Sequence, residues 1–175
     1  SAAGPQQVKT AQRFLRALTA LERFAAVVLF AFMAIIVIAD VLVREVTGLG
    51  ISGAPRLAVY AFIAMSLISF GLASQSAEHL RPRFADTLLP DSWEPALQRI
   101  QETLMAAFCL TFAIVAVGVV TETKALGEVS RSLKIPIWPM QAVFPLTFFI
   151  AAIRHGLFAL YPALKPIPPS KVGDT

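Results

Sequence analysis

Four long apolar stretches dominate the chain. A helix that crosses the hydrocarbon core of a bilayer needs about 20 mostly apolar residues. Windows at about 24–43, 57–76, 104–120 and 139–160 meet that condition, and the first carries one charge, Asp40, near its end. Short alternating segments of the kind that build a β-barrel do not occur. The pattern therefore predicts an all-α membrane protein, a single domain of four transmembrane helices. The first window is too long for the apolar core of a cleaved signal peptide, and Asp40 to Arg44 follow where a small-residue cleavage site would stand.

The segments between the windows have patterns of their own. In residues 8–22, Ala11, Phe14, Leu15, Leu18 and Leu21 fall on one helical face, with Lys9, Arg13, Arg16 and Arg23 largely off it. That spacing predicts an amphipathic helix on the membrane surface, its basic side toward anionic lipid headgroups. A simple helical extension of the first span is the alternative. A second interfacial helix is expected between spans two and three, where Leu80, Phe84 and Leu88 recur every four residues before Pro90. Asp91 and Glu94 then read as a helix start, with Pro95 tolerated in the first turn. A helix over 92–122 would be roughly 46 Å long, so its first turns should project into the interface, with Trp93 as an anchor.

On the other side, residues 48–55 form a short, glycine-rich link. Residues 130–139 are apolar, proline-restricted and partly basic, and are expected to lie along the outer face. Pro145 should kink span four or free backbone carbonyls. The proline-rich segment 161–175 reads as a flexible cytoplasmic tail.

Composition sharpens this reading. Of 175 residues, 57% are hydrophobic and 15% charged, and mean hydropathy is +0.70. Soluble domains average about a quarter charged residues. The net charge of +4 comes from basic residues at the ends of apolar blocks, an arrangement that signals topology and not nucleic-acid binding. Basic residues of the amino-terminal flank, the 77–103 loop and the carboxy-terminal end outnumber those of the opposite side two to one. The positive-inside rule then places both termini in the cytoplasm. The single cysteine, Cys109, excludes an intramolecular disulfide and reads as a core side chain.

Ionisable residues inside a membrane are functional hypotheses. Asp40, Glu102, Glu122, Arg154 and His155 are the candidates, and all lie within about two turns of a span end, where side chains can reach the interface. No carboxylate falls in mid-span, so an ion or proton site built by this chain alone is not expected, Asp40 being the best single candidate. A four-span chain of this kind has the parts of a membrane scaffold and few parts of a catalyst. His79 and His155 could reach comparable depth and ligate haem, which leaves a haem- or quinone-associated anchor of a respiratory complex as the second reading. Catalytic and phosphate-binding motifs are absent, and no enzyme activity, metal or cofactor is expected.

Several pieces in order resemble a known family. Asp40-Val41-Leu42-Val43-Arg44 closes span one; Leu57-Ala58-Val59-Tyr60 opens span two, which ends near Phe70-Gly71. Glu78-His79-Leu80-Arg81 precedes the stop at Leu88-Leu89-Pro90. Ser132-Leu133-Lys134-Ile135-Pro136-Ile137-Trp138 leads into span four, followed by Phe144-Pro145-Leu146 and Arg154. Over about residues 21–160 this is similar to the small, DctQ-type membrane subunit of tripartite ATP-independent periplasmic (TRAP) transporters. The chain departs from the family pattern at Ala54-Pro55-Arg56, where a tryptophan and an acid are common, and at Arg83, where an acid is usual.

The resemblance implies a bacterial inner-membrane subunit beside a large, elevator-type permease that holds substrate and sodium. A periplasmic protein would deliver the substrate, usually an organic acid, to the outer face. Arg44, Arg56, Arg131 and Lys134, with Trp138 beside them, are the outward groups available to an acidic partner.

Overall fold

A computed structural model describes residues 5–73 and 93–165. Within them the chain forms four helices long and apolar enough to cross a membrane. The first, α1, is one unbroken helix from Pro5 to Thr47. At 1.5 Å per residue it is about 65 Å long, twice a hydrocarbon core of about 30 Å. The amphipathic stretch at 8–22 is thus the continuation of span one, with no break between them. Val8, Ala11 and Leu15 of its apolar face pack on Phe158 and Leu164, while Phe14 and Leu21 stay exposed.

A glycine-rich loop joins α1 to α2 (Ala54–Ala73). The expected interfacial helix at 80–88, the Asp91 cap and His79 lie outside the described residues. The third span, α3 (Glu94–Ala125), begins at Trp93, which caps it without a side-chain bond. It ends in a paired turn: Glu128 N–H donates to Thr123 O at 3.2 Å and Gly127 N–H to Lys124 O at 3.2 Å. This closure needs a left-handed residue just past the helix, and Gly127, at φ 65°, supplies it.

Residues 128–137 link α3 to the last span. They fold back on themselves, Ser130 N–H donating to Ile135 O at 2.9 Å and Ile137 N–H to Glu128 O at 3.1 Å, with Lys134 at φ 54° in the turn. The last span is a short α4 (Trp138–Gln141) and α5 (Val143–Leu160), interrupted at Ala142. Pro145 explains the interruption, since it has no N–H for the carbonyl four residues back, that of Gln141. After Leu160 the chain turns into a single 3-10 turn, Pro162–Leu164, which buries Leu164 against α1 and α5. The start of the expected flexible tail is therefore packed.

The helices pair as α1 with α2 and α3 with α5, and α2 joins the pairs through α5. In lipid, where burial of apolar surface between helices gains little, small residues let backbones approach. Ala54, Ala58 and Ala61 are buried on α2, and Cys109, Ala151 and Ala152 form the seam of α3 with α5. Only 6% of the apolar window of α1 is buried within the chain, against 28% for that of α4 and α5. The last span is the hub.

Candidate functional site

Two consecutive residues of α5 organise the polar interior. Neighbouring positions on a helix point about 100° apart, so Arg154 and His155 serve different neighbours. Arg154 is fully buried and reaches the α1–α2 pair. Its Nη2 pairs with the Glu22 carboxylate of α1, and its Nη1 donates to the Gly71 carbonyl of α2 at 2.8 Å. His155 turns toward α3, where its Nδ1 lies 2.6 Å from Glu102 Oε2. Lys165, beyond the 3-10 turn, closes on the other oxygen of Glu102 at 2.9 Å.

This is the polar centre that sequence reading did not expect. Glu102, Arg154 and His155 were expected to reach the interface singly; all three are buried, together with Glu22. The physical reason is compensation. A charge in a low-dielectric interior is costly alone but tolerable when a partner and further hydrogen bonds complete it. Glu22 gave a readable signal: it lies on the same stripe as Val8, Ala11 and Leu15, where a charge has no place unless something meets it. Its partner stands 132 residues away and could not be read.

Chemically the cluster joins helices. Arg154 bridges α1 and α2 to α5, and Glu102 holds α3 to α5 and to the segment that follows it. With its Nδ1 engaged by Glu102, His155 is committed to this network. Among the described residues, no three histidine, cysteine or acidic side chains converge as a metal site would require.

Asp40 sits at the opposite end and also has a structural partner set. It is buried, accepts from Ile51 N–H at 2.7 Å and pairs with Arg44 one turn on at 2.5 Å. The α1–α2 loop is thereby tied to the end of α1.

The same end carries the residues expected to face a partner. Gly53 of the α1–α2 loop abuts Leu133: a Cβ there would stand 2.4 Å from Leu133 Cδ2. Arg56, three residues from Gly53, and Arg131 and Lys134, either side of Leu133, are therefore brought to one place, and all three are exposed. Arg44 is exposed as well, but its guanidinium is committed to Asp40. Trp138 is half-buried under the Lys124 ammonium, 5.1 Å from the ring centroid. Glu45, Glu122 and Glu128 share this end, so the surface is mixed in sign. Toward the termini, Lys9, Arg13, Arg16 and Arg23 line the exposed sides of α1, and Trp93 is exposed.

Residues 33–163 match the model of the DctQ component of the tripartite ATP-independent periplasmic transporters. Comparison with curated proteins and with solved structures returned no match. The matched region runs from the middle of α1 through the 3-10 turn and takes in Asp40, Glu102, Arg154 and His155, leaving Glu22 before it. That family is a transporter component and not an enzyme family, and it works beside a large permease and a periplasmic binding protein. With four apolar helices and a family match over most of its length, the chain belongs to the DctQ component of the TRAP transporters, the small membrane subunit of that system.

Proposed function

We propose that the chain is the static partner of the large permease in sodium-coupled uptake of an organic acid. It sits in the bacterial inner membrane with both termini in the cytoplasm. Its spans widen the scaffold against which the permease moves, and its outer loops add to the surface on which the periplasmic protein docks. One observation carries this reading. Among the described residues the buried ions near the termini are paired across helices, while α1 and α3 leave nearly all of their apolar windows uncovered, 6% and 11% buried. A chain so built offers flanks to lipid and to a partner.

The test is purification of the tagged chain from its native membrane, with uptake measured in vesicles. The large subunit should co-purify, and uptake should need both. Uptake by this chain reconstituted alone would overturn the reading. So would a haem absorption band lost in His155→Ala, which would favour the respiratory anchor. For docking, Arg56→Glu with Lys134→Glu should weaken uptake at low salt more than at high salt, because exposed charges are screened beyond about 10 Å at 0.1 M salt. Unchanged uptake would remove those residues from the docking surface.

A further inference from the structure

One face of the helix layer carries a groove of about 520 Å³. Its floor is α5, with Phe144 and Phe148; Leu67 of α2 forms one wall, and Ala116, Val119 and Val120 of α3 form the other. The lining is apolar apart from Gln141, whose Oε1 is enclosed without a hydrogen-bond donor. None of these residues belongs to the ionic cluster or to the docking loops.

The shape of the groove says what kind of occupant fits. Toward the membrane centre it closes on Phe112 and Phe148, whose ring centroids stand 5.4 Å apart and bridge α3 to α5. From Phe112 to Val120 the α3 wall is about 12 Å long, close to the depth of one leaflet, half of a hydrocarbon core of about 30 Å. A spanning helix of a partner needs a track through the whole core. An acyl chain of one leaflet needs only this much.

The outer mouth says how such a molecule would be held. Lys124 stands one turn beyond Val120 on α3, exposed, resting on the face of Trp138. It has no ion pair among the described residues; Glu122, two positions away, is on another face of α3. Tryptophan beside lysine at the end of a span is the pairing found at the headgroup level of a bilayer. An exposed lysine paired with a lipid phosphate changes binding by about fivefold at most.

We propose that this groove is a binding site for one membrane phospholipid, in the leaflet away from the termini, with an acyl chain along α3 and its phosphate at Lys124. The lipid then fills a gap that α2 and α3 leave over α5, and so supports the seam between the two helix pairs.

The experiment uses the full chain in its native membrane. Val119→p-benzoylphenylalanine is irradiated there and the product is weighed by mass spectrometry. Alongside, phospholipid retained through detergent washing is quantified for the wild type, Ala116→Trp, which fills the groove, and Lys124→Gln, which removes the charge at its mouth. A phospholipid adduct at position 119 is expected, with the tightly held lipid lost in Ala116→Trp and retention weaker in Lys124→Gln, by about fivefold at most. An adduct to another protein or to a second copy of the chain would overturn the proposal. So would undiminished lipid retention in both Ala116→Trp and Lys124→Gln.

Discussion

The two ends of the helix layer solve the same problem by different means. Near the termini, helices far apart in sequence are joined by buried ions: Glu22 to Arg154 across 132 residues, and Glu102 to His155 across 53. At the other end the ionic joints are local, Asp40 with Arg44 one turn away and Asp40 with the Ile51 amide eleven residues on, beside the glycine turns at Gly127 and at Gly53, which abuts Leu133. The difference follows from what each end must connect. The links at that end are short and constrain their helices directly. The end near the termini must also bring α1, with its long extension, and the segment after α5 onto the same helices, and short loops cannot do that.

That contrast implies an order of sensitivities. Arg154→Met removes a fully buried charge and leaves Glu22 buried without its partner, and breaking such a pair costs about 3–5 kcal/mol. It should give the largest loss of thermal stability in the purified complex. Combining it with Glu22→Gln should recover most of the loss, because replacing both partners is often close to neutral. If Arg154→Met alone were harmless, the end near the termini would not be held by ions at all.

Glu102→Ala should come next, at about 2 kcal/mol, the worth of hydrogen bonds to a charged group. Lys165→Ala, which keeps the His155 contact, should cost less than Glu102→Ala. Equal losses would mean that the Lys165 contact, and not the His155 contact, carries the stabilisation at Glu102.

The local joints should respond more mildly and in a pattern that separates space from backbone. Gly53→Ala meets Leu133 and takes a side chain to φ 87°, where left-handed backbone costs about 1–2 kcal/mol in itself. Gly127→Ala has open space and a similar φ of 65°, so it isolates the backbone part. Adding Leu133→Ala should relieve Gly53→Ala and leave Gly127→Ala unchanged. Thermal stability of the four variants decides it. Arg44→Ala, losing an ion pair whose arginine is 58% exposed while Asp40 keeps the Ile51 N–H, should cost about 1 kcal/mol at most.

The same contrast explains what was legible in the chain. The spans follow from runs of apolar residues, and the outer turns from glycines at fixed places; both are contiguous information. Pro145 announced a break in the last span, and the structure puts it at Ala142. The inner cluster was read in pieces: Glu102, Arg154 and His155 stand out as ionisable groups near span ends, but which face each presents, and to whom, depends on how four helices rotate against one another. Lys165 was hidden because a proline-rich segment looks extended until its leucine finds a pocket. Arg44 looked like a docking group because exposure is visible as a span flank, although its i, i+4 spacing to Asp40 also allows an ion pair. The paired acid and amide at Asp40 also show why an intramembrane carboxylate need not move ions.

The central claim is that the buried ions hold helices and conduct nothing. It is tested by uptake in vesicles containing the assembled transporter with the paired Glu22→Gln and Arg154→Met substitutions, after the amount of complex has been matched to the wild type. Uptake per assembled complex should equal that of the wild type. Complexes that assemble fully but no longer take up substrate would place the cluster in the transport path and contradict the account.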